Sequence, residues 1–86
     1  MPQGFNTRSI HVGQTSDPTT GAVVPPIYLS STFQQEVPGT PLNGFEYSRC
    51  DNPTRTSLQE NLASLEGGLL AYSFASGMAA EDAFFR

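Results

Sequence analysis

The chain has 86 residues, eight acidic and four basic side chains for a net charge of -4, and a single cysteine, Cys50. That length allows one small domain with a marginal core, and the lack of any basic cluster excludes a nucleic-acid footprint or a polybasic membrane patch. One cysteine cannot form an internal disulfide, no apolar run reaches membrane-span length, and MPQGFNTRSI lacks a signal-peptide core, which together point to a reducing, cytoplasmic setting.

The basic residues are Arg8, Arg49, Arg55 and Arg86, so the chain has no lysine. Any chemistry that needs a lysine amine must obtain it elsewhere.

Residues 1–52 read as an N-terminal arm. All seven prolines lie at or before Pro53, glycines recur at 4, 13, 21, 39 and 44, and neither a helical period nor a long alternation is sustained. His11, the only histidine, has no partner at ligand spacing, so no metal site is expected. Within VVPPIYLSSTF the two prolines favour extended backbone, and Ile27, Tyr28 and Leu29 add strand-like content. These residues are too apolar for a free linker, so the segment is expected to lie against another surface; composition alone also allows a disordered leader.

FEYSR, residues 45–49, places Tyr47 and Arg49 two apart. If the backbone is extended, both side chains project to one side, where a phenol and a forked guanidinium suit a dianionic phosphate. The same spacing also fits the solvated face of a strand. Cys50 falls in the following turn with no histidine nearby, which gives it no nucleophilic role.

Residues 53–86 read as the beginning of an α/β domain. Asn52 is a good N-cap with Pro53 in the first helical position, and Ser57 with Glu60 offers a second start. Leu58, Leu62 and Leu65 share one helix face, and Gly67 with Gly68 supplies the stop. LLAYSF, residues 69–74, has the apolar continuity of a strand buried on both faces. SGMAAEDAFFR then begins a second helix, within which the chain is expected to be truncated at Arg86. At that junction Gly77 permits close backbone approach, and free N–H groups at the helix start favour an anion. A strand–helix junction of this kind also occurs without any ligand, in which case Met78 is ordinary packing.

Taken in order, EYSRCDNPTR, LASLEGG and SFASGMAA closely resemble the N-terminal part of the Cys/Met-metabolism family of pyridoxal-phosphate enzymes. TRSIHVGQTSDPTTGAVVPPIYLSSTF resembles the family's opening segment, so the likeness covers nearly the whole chain. It implies the start of the fold-type I large domain, preceded by an arm that contacts a neighbouring subunit, in a homotetramer of close dimers. It further implies that Tyr47 and Arg49 bind the phosphate of pyridoxal 5'-phosphate held by the neighbour, and that backbone groups at Gly77 and Met78 bind it in their own subunit. Arg55 gains no cofactor role and reads as a helix-start or interface residue. The family's cofactor-bonding lysine, its pyridine-facing aspartate and its ring-stacking aromatic have no counterparts here, so no catalytic residue is assigned.

The implied substrates are small amino acids. The wording of NGFEYSR and ASGMAA is most similar to the γ-synthase branch, which joins cysteine to an activated homoserine; the γ-lyases are the alternative. A reading of another class, a truncated interaction segment without catalysis, also stands, and a reading frame continuing past Arg86 would separate the two.

Overall fold

The computed structural model describes residues 3–86; Met1 and Pro2, at the start of the expected arm, lie outside them. The first element, α1 (Phe5–His11), has no side-chain N-cap and no sustained apolar period. Its stability comes from α2 (Pro53–Glu66), the 14-residue helix against which it packs. The contact is polar and reciprocal. Asn61 Nδ2 donates to the Arg8, Ser9 and Val12 carbonyls at 3.0, 3.2 and 2.9 Å, satisfying acceptors at the C-terminal end of α1. Arg8 in return donates through one guanidinium nitrogen to the Ser64 carbonyl at 2.5 Å, near the end of α2. The Arg8 and Ser64 carbonyls also accept from the Val12 and Gly67 N–H groups, so the side-chain bonds add a second donor at the C-terminal end of each helix and tie the two ends together.

The chain leaves α1 through Gly13, whose φ of +76° lies in the left-handed region. A Cβ built there would stand 2.6 Å from the Ser57 carbonyl oxygen, so the approach of this turn to α2 requires glycine.

Between the helices, β1 (Gln35–Val37) and β2 (Thr40–Pro41) form a small antiparallel hairpin with Gln35 opposite Pro41 and Val37 opposite Thr40. The pairing continues loosely beyond it. Thr32 bridges Tyr47, Phe33 N–H donates to the Glu46 carbonyl at 3.1 Å, and Ser48 N–H donates to the Ser31 carbonyl at 2.8 Å. Phe33 and Phe45 pack across the ladder with ring centroids 5.9 Å apart. The Ile27–Leu29 run joins no ladder among the described residues, and Ile27 and Leu29 are exposed.

The expected start and stop of α2 are both present. Asn52 Oδ1 accepts from Thr54 N–H at 2.9 Å, Pro53 occupies the first turn, and Gly67 ends the helix at φ 70° while Gly68 N–H reaches the Ala63 carbonyl at 2.8 Å. Ser57 and Glu60 therefore lie inside the helix and start nothing. Leu58 and Leu62 remain exposed, because α1 packs on the polar Ser57–Asn61–Ser64 side of the helix.

The expected buried strand at residues 69–74 is not formed. Leu69, Leu70 and Tyr72 are exposed, Leu69 almost completely. A strand is held by ladder hydrogen bonds, and among the described residues no neighbouring strand runs beside this segment. What fixes it is Gln59 Oε1, which accepts both the N–H and the hydroxyl of Ser73 at 3.0 Å. The last element, α3 (Gly77–Phe85), packs against no other helix or strand among the described residues.

Ala63 is the only buried side chain among the described residues. A compact protein of this mass exposes about 4,900 Å², whereas this chain exposes 6982 Å². The excess of roughly 2,000 Å² equals a large protein–protein interface. The radius of gyration, 15.0 Å, exceeds the roughly 12 Å of a compact chain of this length. The elements form, but the apolar surface that would complete a core is left open.

Candidate functional site

Two groups of hydrogen-bond donors are positioned by the local folding of the chain. The first lies where the ladder ends. Tyr47 is the last bridged residue, and Ser48–Cys50 turn back immediately, with the N–H groups of Cys50 and Asp51 both donating to the Tyr47 carbonyl at 2.9 Å. FEYSR is thus extended only as far as Tyr47. Arg49 reaches the side of Tyr47 by the turn, not by strand alternation, and its guanidinium carbon lies 5.0 Å from the phenol ring centroid. A cation held at that distance gains from the ring quadrupole and is pre-oriented.

The donors of this pair are uncommitted. Arg49 enters no ion pair or hydrogen bond among the described residues, nor does the Tyr47 hydroxyl. The flanking carboxylates are engaged elsewhere: Asp51 Oδ1 accepts from Asn52 N–H at 2.9 Å and the Thr56 hydroxyl at 2.8 Å, and Glu46 accepts from the Gln35 amide at 3.5 Å. Arg55 donates to the Cys50 carbonyl at 2.7 Å, bracing the turn from the first turn of α2. It acts as a helix-start residue, as its position suggests. Cys50 is exposed and free.

The second group is the start of α3. Ser76 is the N-cap; its hydroxyl accepts from Ala79 N–H at 3.1 Å and its carbonyl from Ala80 N–H at 3.2 Å. The N–H groups of Gly77 and Met78 have no acceptor among the described residues and stand at the positive end of the helix dipole. A Cβ at Gly77 would meet nothing within 4 Å, so no packing within this chain requires glycine there. Ser76 went unnoticed in the sequence, although a serine directly before the first helical residue is itself a capping signal.

Tyr47 lies beside Arg49, and Gly77 directly precedes Met78 at the start of α3; among the described residues no hydrogen bond joins the two pairs. The full length of α2 lies between them in sequence, about 21 Å of helix. A phosphate group fits either pair: a charged fork with a phenol at one, free backbone donors at a helix start at the other. Asp17, remote in sequence from both, has its carboxyl held below the usual range, because the Thr20 hydroxyl and N–H donate to it at 2.7 and 2.9 Å. Among the described residues no cluster of His, Cys, Asp or Glu could hold a metal ion, and no helix is long and apolar enough to cross a membrane.

Residues 6–86 match the family described as Cys/Met metabolism PLP-dependent enzyme, and the chain belongs to that family, whose cofactor is pyridoxal phosphate. Among individual relatives, it is 54% identical to cystathionine gamma-synthase of Mycobacterium tuberculosis over 83 residues, 96% of this chain and 21% of that protein. It is 53% identical to human cystathionine gamma-lyase over 79 residues, covering 91% and 19% of the two chains. The crystal structure of metB from Corynebacterium glutamicum superposes with a TM-score of 0.92 at 46% identity, over 98% of this chain and 22% of that one. The chain therefore spans about a fifth of the length of these relatives. Synthase and lyase are matched equally well, so similarity establishes a transsulfuration PLP enzyme family and not one member of it.

Proposed function

We infer that this chain supplies the N-terminal portion of a fold-type I PLP enzyme of the cystathionine γ-synthase type, which joins cysteine to an activated homoserine. The observation that carries the reading is the uncommitted Arg49 guanidinium stacked at 5.0 Å on Tyr47, beside carboxylates already engaged by other partners. A stacked, free guanidinium next to a free phenol is a preformed receptor for a phosphate dianion.

Tyr47 and Arg49 would hold the phosphate of the cofactor bound to a neighbouring subunit, and the N–H groups of Gly77 and Met78 would hold it in their own. Met78 contributes through its backbone. When bound, pyridoxal phosphate acts as an electron sink for the substrate's amino-acid carbon skeleton. This chain's residues bind and orient it, and the lysine that bonds it lies outside these 86 residues. Residues 1–52 would then be the arm that lies on the neighbour, with exposed Val23, Val24, Ile27 and Leu29 as its apolar contacts, in a homotetramer of close dimers in the cytoplasm.

The test is a partition of products. The full-length enzyme, given cysteine and an activated homoserine, should form the thioether faster than it releases 2-oxobutanoate from either thioether or homoserine ester. Predominant elimination would move the reading to a γ-lyase. The 86-residue chain alone, lacking lysine, should give no borohydride-trapped cofactor adduct except at its terminal amine.

A further inference from the structure

Resting on the reading of Tyr47 and Arg49 as phosphate donors, we propose that Asn52 is the residue that positions them, acting through Ser48. Asn52 joins three segments at once. Its Oδ1 caps α2 through Thr54 N–H at 2.9 Å, and its Nδ2 donates to Ser48 Oγ at 2.9 Å and to the Tyr28 carbonyl at 3.2 Å. Ser48 is the residue between Tyr47 and Arg49, so its side chain is fastened to the helix start while its neighbours on both sides face a ligand. The Ser48 hydroxyl donates onward to the Ser30 carbonyl, and its N–H to the Ser31 carbonyl. Tyr28 N–H in turn donates to Thr54 Oγ1 at 2.8 Å. The segment 28–31, the turn 48–50 and the first turn of α2 are thereby closed into one hydrogen-bonded ring with Asn52 at its centre.

Arg49 itself is exposed and bonded to no acceptor among the described residues, so nothing in its own contacts there beyond the Tyr47 ring fixes where it points. Its direction is inherited from the turn, and the turn's direction from Ser48 and Asn52. A capping residue needs only an acceptor; serine or aspartate would serve α2 equally well. The amide is the part of Asn52 that capping does not explain, and both bonds of that amide go to the turn and the segment beneath it.

The experiment separates the two roles. In the full-length enzyme, Asn52→Ser keeps a neutral, competent cap and removes the amide; Ser48→Ala removes the acceptor and leaves the cap untouched. Pyridoxal phosphate is titrated into each apo-protein, and amide hydrogen exchange is followed at Cys50 and Asp51, which bond to the Tyr47 carbonyl, and at Asn61–Ala63 in α2. Each single variant should weaken cofactor binding by roughly three- to tenfold. Each should speed exchange at Cys50 and Asp51 and leave α2 unchanged, and the double variant should lose little more than the worse single one. Arg49→Ala is the reference. If it weakens binding while Asn52→Ser and Ser48→Ala bind as the parent does, the positioning role is overturned and the phosphate reading stands. If exchange rises throughout α2 in Asn52→Ser, and Ser48→Ala is unaffected, Asn52 is a helix cap only. If Arg49→Ala itself binds normally, the phosphate reading falls and takes the positioning role with it. Should Asn52→Ser fail to fold, Ser48→Ala carries the same expectation and the same refutation.

Discussion

Replacing Arg49 in the full-length enzyme should weaken pyridoxal phosphate by an amount its surroundings define. Arg49 is exposed, stacks on Tyr47 and neutralises no carboxylate, so Arg49→Ala leaves no buried charge unpaired and costs the fold little. Its effect on the cofactor is then the loss of a charge-assisted, forked contact, about 1.5–3 kcal/mol or one to two decades of affinity. Arg49→Lys keeps the charge but loses the fork and most of the stacking, and should fall between Ala and the parent. Tyr47→Phe keeps the ring under the guanidinium and loses only a hydroxyl, roughly 0.5–1.5 kcal/mol. The assay is equilibrium titration of the apo-enzyme followed by cofactor absorbance, with thermal unfolding of the apo-forms as a check on folding. The order Ala, Lys, Phe, parent in rising affinity is expected. Parent-like affinity in Arg49→Ala, or a loss that tracks apo-stability, would refute the reasoning.

Other substitutions probe the remaining geometry. Gly13→Ala places a methyl 2.6 Å from a backbone oxygen at positive φ, which should destabilise the α1–α2 contact by about 1–3 kcal/mol in a denaturant melt. Gly77→Val, with no neighbour within 4 Å, should leave apo-stability nearly unchanged yet weaken the cofactor, while Met78→Leu should alter neither; equal effects on stability and cofactor at Gly77 would indicate packing instead. Asp17 has a folded pKa below its ordinary value, so its turn is fully supported above the ordinary carboxylate range and loses that support as pH falls through the lowered folded value. Thr20→Val removes the hydroxyl that does most to hold it down, and carboxyl-carbon titration should show the Asp17 pKa rising.

What was legible in the sequence is what neighbouring residues decide among themselves. Asn52 before Pro53, and Gly67 at the end, mark α2 because capping and left-handed termination are chemistry within one turn. The α3 start is legible in the small residues of SGMAA, while its Ser76 cap, chemistry of the same local kind, was missed. The α1 helix was not legible: FNTRSIH has no apolar period, and what secures it is Asn61 and Ser64, more than fifty positions away. LLAYSF failed in the opposite direction. Its composition suits a buried strand, but a strand's hydrogen bonds belong to its neighbours, and the described residues provide none beside it. Tyr47 and Arg49 come together by a route spacing could not reveal, since the turn begins at Ser48, two residues earlier than a fully extended FEYSR would allow. The Ser48–Asn52 bond that orients that turn links positions whose types suggest only a loop and a cap.

The central claim is that Tyr47 and Arg49 serve the cofactor of a neighbouring subunit, and complementation between two impaired subunits, assayed at a cofactor concentration that leaves the Arg49→Ala parent largely unloaded, tests it most directly. Full-length Arg49→Ala subunits are coassembled with subunits lacking the cofactor-bonding lysine, and hybrids are isolated by two affinity tags. In a hybrid dimer the one lysine-bearing site belongs to the Arg49→Ala subunit and receives an intact Arg49 from its neighbour. The account predicts that such hybrids recover a substantial part of the activity and cofactor affinity of one normal site, which neither parent shows. Proven coassembly without recovery would contradict it, and would mean that Arg49 serves the cofactor of its own chain or serves none.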